Sequence, residues 1–189
     1  MGGFVVAVFF ALAGCSDDFT FTNYPCYLVI DNSTHQDPTL MSAMNAVAPG
    51  TFCIIVDNES AKKFEFHNNQ GLTSAVRFDQ KDEYRTRAVG MNNAVIVGYG
   101  TFTGQFHAYD RECPVCFDPN AIPVRSKPLT ISGDGIATCS VCHRRWDMNN
   151  GGNYVGTAEG GKDENGGVKN LTRYRAGTTG PYGVLSVGN

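Results

Sequence analysis

The amino-acid sequence predicts a single, mostly β domain with one short helix. Its 189 residues include 22 glycines, and only 17% are charged, which is typical of short strands joined by many turns. Two early apolar runs are each followed by Asp-Asn, at Asp31-Asn32 and Asp57-Asn58, as strands that end in turns would be. A chain of this length can bury one sizeable core.

The one predicted helix begins at the Asp37-Pro38 pair. Asp is a preferred N-cap residue, and Pro fits the first helical position because its missing N–H would have no helical partner there. The helix is expected to run through about Ala46 and to stop before Pro49-Gly50.

Strands are predicted where apolar and β-branched residues cluster between turn residues. A first group covers about 52–57, 62–66 and 74–78, with a turn at 68–71. Two further hairpins pair 93–99 with 102–109 and 129–132 with 136–139, and each runs into a pair of cysteines. The polar segment 81–91 is predicted to be a surface connection, and the Gly-rich and Asn-rich segment 149–167 a loop.

Those cysteines form two CxxC motifs, Cys113-Pro-Val-Cys116 and Cys139-Ser-Val-Cys142. Thiolates are soft ligands, and a two-residue spacing lets both sulfurs of one tight turn bind the same tetrahedral ion. The duplicated motif therefore predicts a metal site. A pair of disulfides, or unrelated free cysteines, is the alternative.

The start of the chain predicts export. Residues 4–13 form an apolar run of signal-peptide length, too short to span a bilayer as a mature helix. The run closes on Leu12-Ala13-Gly14-Cys15, which resembles the lipobox of bacterial lipoproteins. We therefore expect a signal peptide at 1–14, a lipid on Cys15, a tether at 15–22 and a domain at 23–189. A buried N-terminal strand is the alternative.

Charge and placement limit the partners of the mature protein. The formal net charge of −3 offers no broad basic surface, so a nucleic-acid partner is not expected. The acidic Ser16-Asp17-Asp18 after the cysteine is similar to the signal that places some lipoproteins on the cell surface. The sequence thus predicts a monomer attached to the bacterial outer membrane through its lipid, with surface exposure as a further expectation.

The two remaining cysteines, Cys26 and Cys53, each lie in a strand-like run. If those strands are neighbours, an oxidising compartment would favour a disulfide, worth roughly 3 kcal/mol in the chain-entropy model. Two buried free thiols are the alternative.

The second half of the chain resembles a Rieske-type iron–sulfur domain. The segments that carry the resemblance are Phe106-His-Ala-Tyr-Asp-Arg-Glu-Cys-Pro and Ile136-Ala-Thr-Cys-Ser-Val-Cys-His-Arg-Arg-Trp-Asp-Met, followed by a Gly-rich loop and a closing strand pair at 171–189. The resemblance covers about 90–189 and includes exported, lipid-anchored proteins of Bacteroidetes. It implies an antiparallel β-sandwich or barrel with a rubredoxin-like or zinc-ribbon-like metal subdomain at about 107–150.

The ligands depart from that family. Its two histidine positions are Val115 and Cys142 here, and Cys116 is an additional cysteine. Only Cys113 and Cys139 match family ligands, so an ordinary Rieske cluster, which needs two imidazoles on one iron, is not expected. The residues instead predict a Cys₄ site with Zn or Fe, and a Cys₄-ligated [2Fe–2S] cluster is the alternative.

Three arginines stand close to these ligands in sequence, Arg111, Arg144 and Arg145. They are predicted to offset the charge of the thiolates and to donate hydrogen bonds to sulfur, unless they belong to a solvated loop. A closed Cys₄ zinc shell would be structural, whereas iron would allow electron transfer to a redox partner.

Other chemistry has weaker support. Cys139-Ser-Val-Cys142-His143 also matches the c-type haem motif, with His143 as proximal ligand and Met91 or Met148 as a distal one. Either CxxC could form a thioredoxin-like redox pair, although neither opens a helix after a strand. No catalytic constellation stands out, because the other histidines are isolated. The chain is therefore not expected to be an enzyme beyond electron transfer.

Overall fold

The computed structural model describes residues 21–158 and 169–189. The expectation of a mostly β fold is confirmed. The predicted signal peptide, Cys15 and most of the predicted tether lie outside the described residues. No helix in the described ranges is long and apolar enough to cross a membrane.

The described residues form two antiparallel sheets and three short α-helices. In chain order the elements are β1 (Cys26–Asp31), α1 (Asn32–His35), α2 (Pro38–Ala43), β2 (Phe52–Asn58), β3 (Lys63–Asn68), β4 (Thr73–Arg77), α3 (Gln80–Tyr84), β5 (Ala88–Val89), β6 (Ala94–Tyr99), β7 (Phe106–Asp110), β8 (Leu129–Ile131), β9 (Ile136–Cys139), β10 (Arg144–Asp147), β11 (Asn153–Thr157), β12 (Arg173–Thr178) and β13 (Val184–Gly188).

Nine strands form what we call the main sheet, in the order β4-β3-β2-β6-β7-β12-β13-β1-β5. The other four form a smaller sheet in the order β11-β10-β9-β8. We call residues 111–158, which contain this smaller sheet and both CxxC motifs, the metal lobe. Its first strand follows a long irregular connection after β7, whereas β8 to β11 are joined by short turns.

The helix predicted after Asp37 is present as α2. The Asp37 carboxylate accepts a hydrogen bond of 2.8 Å from the Leu40 backbone N–H, and Pro38 is the first helical residue. The helix ends at Ala43, three residues earlier than expected, because Met44 leaves the helical conformation and caps it.

Two helices were not expected from the sequence, α1 and α3. α3 overlaps the segment 81–91, which was predicted to be a surface connection. Asp79 and Asp82 form a reciprocal capping box at its start, which satisfies backbone donors that a helix of five residues would leave unpaired. The same segment ends in β5, so it contributes one edge of the main sheet.

The central strands are buried on both faces, so two hydrophobic cores flank them. On β2, Cys53 and Ile55 face what we call the first core, whereas Phe52 and Ile54 face the second core. The first core includes Leu28, Ile30, Leu40, Met44, Phe64, Phe66, Val95, Val97, Tyr174, Leu185 and Val187. The second core includes Ile96, Tyr109, Cys113, Leu129, Ala137, Cys139, Trp146, Met148 and Leu171. The metal lobe therefore packs against the face of the main sheet that is opposite the first core, which we call the outer face.

Both predicted hairpins before the cysteines are confirmed. β6 pairs with β7 and β8 pairs with β9, in antiparallel register. The closing strand pair is present as β12 and β13. The predicted loop at 149–167 is wrong in part, because β11 occupies 153–157 and pairs with β10.

The expectation that Cys26 and Cys53 lie on neighbouring strands is wrong. β1 and β2 are not paired, since β6, β7, β12 and β13 separate them in the main sheet. Both side chains are fully buried in the first core as free thiols, and burial is the main cause that raises the pKa of Cys26 to about 12 and that of Cys53 still further. The disulfide predicted from the sequence is not formed in the structure.

Candidate metal centre

The first CxxC turn follows the end of β7. The Cys113 N–H donates a hydrogen bond of 3.0 Å to the Lys127 carbonyl, which fixes the backbone at the start of the turn. The chain then turns back, because the Phe117 N–H donates to the Cys113 carbonyl at 3.0 Å. Both sulfurs of the motif therefore face the interior of the metal lobe.

The second CxxC turn follows β9 in the same way. The His143 N–H donates to the Cys139 carbonyl at 2.9 Å, which closes the turn. His143 has a φ of 56°, a left-handed conformation that is uncommon for a residue with a side chain. The chain then enters β10, so both turns are fixed by strands on at least one side.

The two turns bring four sulfur atoms together. The Sγ atoms of Cys113, Cys116, Cys139 and Cys142 all lie within 4.8 Å of one another. The Sγ atoms of Cys113 and Cys142 are 3.8 Å apart. A tetrahedral ion with metal–sulfur bonds of about 2.3 Å separates its ligand sulfurs by about 3.8 Å, so the group has the size of a single-ion site.

The two members of each motif differ in exposure. Cys113 and Cys139 are fully buried in the second core. Cys116 and Cys142 are only partly buried, and Val141 beside them has 52% of its surface exposed. One side of the sulfur cluster is thus sealed by the core, and the other side reaches the surface.

Backbone N–H groups point at the buried sulfurs. The Cys113 sulfur accepts hydrogen bonds from the N–H groups of Val115 and Cys116. The Cys139 sulfur accepts them from Val141, at 3.4 Å, and from Cys142. These donors stabilise negative charge on sulfur, as the donors around a metal-bound thiolate do. Sequence reasoning missed them because any residue type supplies a backbone N–H.

The thiols do not share negative charge equally. The Cys113 thiol donates to the Cys139 sulfur, which lowers the pKa of Cys139 to about 4 and raises that of Cys113. Burial, together with the neighbouring Cys142, raises the pKa of Cys116 to about 12. Four thiolates this close would repel one another strongly. The positive charge of a bound divalent cation would offset that repulsion and so allow all four thiols to deprotonate.

The three arginines differ in how they are placed around the metal lobe. In the described part of the chain, the side chains of Arg111 and Arg145 donate no hydrogen bond to a cysteine sulfur. Arg145 is exposed, and burial lowers the pKa of Arg111. The Arg144 guanidinium is buried and lies 6.0 Å from the centre of the Tyr154 ring. The hydrogen bonds to sulfur identified above come from the backbone instead.

The hypothesis that the second CxxC motif attaches a c-type haem has little geometric support. The cysteine group, as found among the described residues, does not include a His143 nitrogen. The sulfurs of Cys139 and Cys142 lie beside those of Cys113 and Cys116. A haem attached to the second motif would leave the first motif without a role. Met148 is fully buried in the second core, and the surroundings are strands rather than helices.

Two buried carboxylates hold the first turn in place. Asp110 accepts hydrogen bonds from the Tyr174 hydroxyl at 2.6 Å, from the Met91 N–H at 2.8 Å and from the Glu112 N–H at 2.7 Å. Glu112 in turn accepts from the hydroxyl of Ser126 and the N–H of Lys127. Asp110 and Glu112 thus fix the start of the first CxxC turn through hydrogen bonds to backbone and side-chain donors.

Trp146 and Asp147, the pair that supports the family resemblance, also have structural roles. Trp146 is fully buried, and its Nε1–H donates to the Lys169 carbonyl at 2.8 Å. The Asp147 carboxylate caps the short turn after β10 by accepting from the Asn149 N–H at 2.9 Å. Both residues shape the metal lobe, and neither reaches the sulfur cluster through a hydrogen bond.

The comparisons with known proteins identify no relative. No family model, no curated protein and no solved structure matches the chain.

Proposed function

We propose that the protein is an exported, lipid-anchored, Rieske-like domain that binds one metal ion through Cys113, Cys116, Cys139 and Cys142. The observation that carries the metal proposal is the convergence of the four sulfurs within 4.8 Å of one another. The backbone donors at Cys113 and Cys139 support it, because they favour thiolate at the buried pair.

A single ion fits the sulfur positions better than a [2Fe–2S] cluster. Two irons bridged by sulfide would hold the cysteine sulfurs of opposite irons about 5.5 Å or more apart. All four sulfurs here lie closer together than that. A cluster would therefore need both turns to move apart, whereas one tetrahedral ion would need little change.

The proposed role of the ion is structural. A closed Cys₄ shell around Zn²⁺ has no open coordination position and no redox chemistry, so it would act by joining two turns. The metal lobe has strands of only three to five residues, and a stretch of irregular chain, 117–128, separates its first CxxC turn from β8. Such a lobe gains stability from a cross-link between its ends.

Electron transfer is the second candidate, and one observation favours it. Cys116 and Cys142 are partly exposed beside Val141, so one edge of the site can be reached by a redox partner. Iron at the site would supply one-electron chemistry at that edge. We rank this role second because a closed four-sulfur shell binds Zn²⁺ equally well.

The Rieske-like ancestry and the lipid anchor rest on sequence features. Two hairpins that each lead into a CxxC turn, and a closing strand pair, agree with the order of parts in that family. The lipidation of Cys15 rests on its lipobox-like sequence. Mass spectrometry of the mature protein from its host is expected to find a diacylated N-terminal cysteine, and a mature chain without lipid at Cys15 would reject the anchor.

One measurement decides between the two roles of the metal. Protein folded in its native host is analysed for zinc, iron and sulfide, and its visible spectrum is recorded. One zinc per chain and no visible absorbance is the expected result, and it would end the electron-transfer role. Iron with a visible band that bleaches on reduction would end the structural role, and protein with no bound metal would reject the Cys₄ proposal.

A further inference from the structure

The outer face of β12, β13 and β1 is an uncovered part of the main sheet, separate from the residues of the metal centre. Arg175, Ser186 and Tyr27 are exposed on it. Their neighbours Val187 and Leu28 point the other way, into the first core, and are buried. Open space beside these strands must therefore lie on the outer face.

The strand register arranges this face in rows across the strands. Arg175, Gly188 and Tyr27 are aligned in one row, and Gly177, Ser186 and Val29 in the next. Gly188 and Gly177 carry no side chain, so the surface over them is recessed relative to the neighbouring side chains. Its floor is a depression of about 450 Å³ over Gly177, Ser186 and Gly188, with Arg175 and Asn189 among its walls.

A second depression, of about 370 Å³, continues the first. It lies between Tyr27 and Val29 of β1 and the segment 85–87. Both depressions include Val187, so they are adjacent. Tyr27 lines the second depression and pairs in register with Gly188 of the first. Together they cross three strand spacings of about 4.8 Å, which gives a groove about 14 Å long.

The walls of the groove are basic. The residues that line the two depressions include three arginines and no carboxylate. Arg87 is engaged, because it forms ion pairs with Asp57 and Glu59. Within residues 21–158 and 169–189, Arg85 and Arg175 form no ion pair, so their charges remain available to an anion.

These two available arginines are also held in position. One Arg85 nitrogen donates to the Val29 carbonyl at 3.2 Å, which keeps the side chain along the edge of β1. The Arg175 guanidinium lies 5.4 Å from the centre of the Phe21 ring. Each guanidinium keeps further N–H groups that match the two oxygens of a carboxylate.

The shape of the groove and its aromatic side chain favour a chain of sugar rings over a peptide as the ligand. Both edges of β12 and β13 are already paired, and on its other edge β1 pairs with β5 at Cys26 and Tyr27. Beyond that pair the Val29 carbonyl accepts from the Arg85 side chain, so little backbone is left to bind an added strand. Tyr27 has 56% of its surface exposed at the middle of the groove, where its ring offers a flat apolar face. A chain of about three rings would fill the length of the groove.

We propose that this groove binds an acidic polysaccharide, with Tyr27 stacked on a sugar ring and with Arg85 and Arg175 bound to carboxylates of the sugars. The proposal goes beyond the metal site and does not depend on it.

The test uses polygalacturonate as the probe and the full chain as the protein. Affinity electrophoresis in polygalacturonate gels, followed by titration calorimetry, measures binding. Tyr27→Ser is expected to weaken binding at least about fivefold, because it removes the stacking surface. Arg175→Gln is expected to weaken it by a similar factor.

A third variant blocks the groove without changing its charge. In Gly177→Val, a Cβ would meet only the Ser186 hydroxyl oxygen, at 3.5 Å, which is an ordinary contact. The fold should therefore accept the side chain, and binding should be lost because the floor is filled. Thermal melting and metal content, unchanged in each variant, verify that the protein is folded.

Matched controls carry an exposed aromatic residue and an exposed arginine elsewhere. Phe102→Ser, in the turn between β6 and β7, and Arg77→Gln, at the end of β4, are expected to bind like the unaltered protein. Absence of binding to polygalacturonate, equal loss in the controls, or equal binding to neutral dextran would overturn the proposal. Tighter binding to single-stranded DNA, lost in the same three groove variants, would overturn it in favour of a nucleic-acid site.

Discussion

The main sheet and the metal lobe differ in the length of their strands and in how their apolar residues are buried. Except for β5, the strands of the main sheet have five to seven residues, and α2 covers part of the first core. The strands of the metal lobe have three to five residues, and the second core is completed by side chains of the main sheet such as Phe52 and Ile96. We therefore expect the main sheet to be stable through apolar burial, and we expect the metal lobe to depend on its neighbour and on the proposed metal cross-link.

The largest expected effect follows from removing the proposed metal ion from the metal lobe. Chelation, or Cys116→Ser, should remove up to about 10 kcal/mol of stability from this lobe, since the binding energy of a structural ion is folding energy. In native-state hydrogen exchange, the amides of β8, β9 and β10 should lose protection, and those of β2 and β3 should keep it.

The matched control for that experiment is Cys53→Ala. It removes a cysteine that is equally buried but lies in the first core. It should cost about 1–2 kcal/mol in the main sheet and leave the metal content unchanged. If chelation exposed β2 and β3 as well, the two regions would form one cooperative unit and the comparison would fail.

A smaller effect is expected from Trp146→Ala in the second core. The change deletes a fully buried indole and its hydrogen bond to the Lys169 carbonyl, which should cost about 3–5 kcal/mol in denaturant unfolding. Phe64→Ala removes a buried ring of the first core and serves as the comparison. The tryptophan variant should expose the metal lobe first, and the phenylalanine variant the main sheet; identical exchange patterns would argue against separate cores.

The contact between the two regions is expected to be weaker than either core. Asn69, in the turn between β3 and β4, accepts a hydrogen bond from the Phe52 N–H at 2.9 Å and donates to the Gly133 carbonyl of the metal lobe at 3.3 Å. Asn69→Ala should cost about 1–3 kcal/mol, because it leaves part-buried polar groups unpaired.

The neighbouring residue provides the control for this contact. Gln70→Ala removes a single exposed hydrogen bond to the same Gly133 carbonyl. It should change the free energy of unfolding by less than about 0.5 kcal/mol. Equal effects of the two substitutions would mean that Asn69 does not connect the regions.

The smallest effect concerns the pH dependence of the main sheet. The His35 Nε2 lies 2.9 Å from an Asp82 carboxylate oxygen, and this hydrogen bond raises the pKa of His35, against the opposing effect of burial, with Asp79 and Asp31 adding to the rise. The stabilisation is fully present below the pKa of an unfolded histidine, about 6.5, and is lost as the pH rises through the higher folded pKa.

The raised pKa of His35 predicts the direction in which stability changes with pH. The melting temperature of the unaltered protein, relative to that of His35→Gln, should fall between pH 5 and pH 8. The metal content should not follow this change, since His35 lies in α1 and packs on Phe64 of the first core. A melting-temperature difference that stays constant over this range would contradict the ion pair.

Local sequence signals predicted much of the fold and of the site. The hairpins, the α2 N-cap at Asp37 and the grouping of the four cysteines depend on neighbouring residues, so spacing and residue type were sufficient. α3 was missed, because a five-residue helix has too few positions for periodicity and is stabilised by its Asp79 and Asp82 capping box. Phe102, the first residue of the strand predicted at 102–109, is 78% exposed because that strand begins only at Phe106.

Strand neighbours were decided only by the tertiary structure. Cys26 and Cys53 lie in similar runs, and the sequence contains nothing that reports the four strands between β1 and β2. The groove beside Tyr27 depends on the same long-range order. By itself the sequence determined that four thiols gather at two turns, because a two-residue spacing is a local property. The fold alone decided which surfaces meet, because pairing between distant strands depends on the packing of the whole chain.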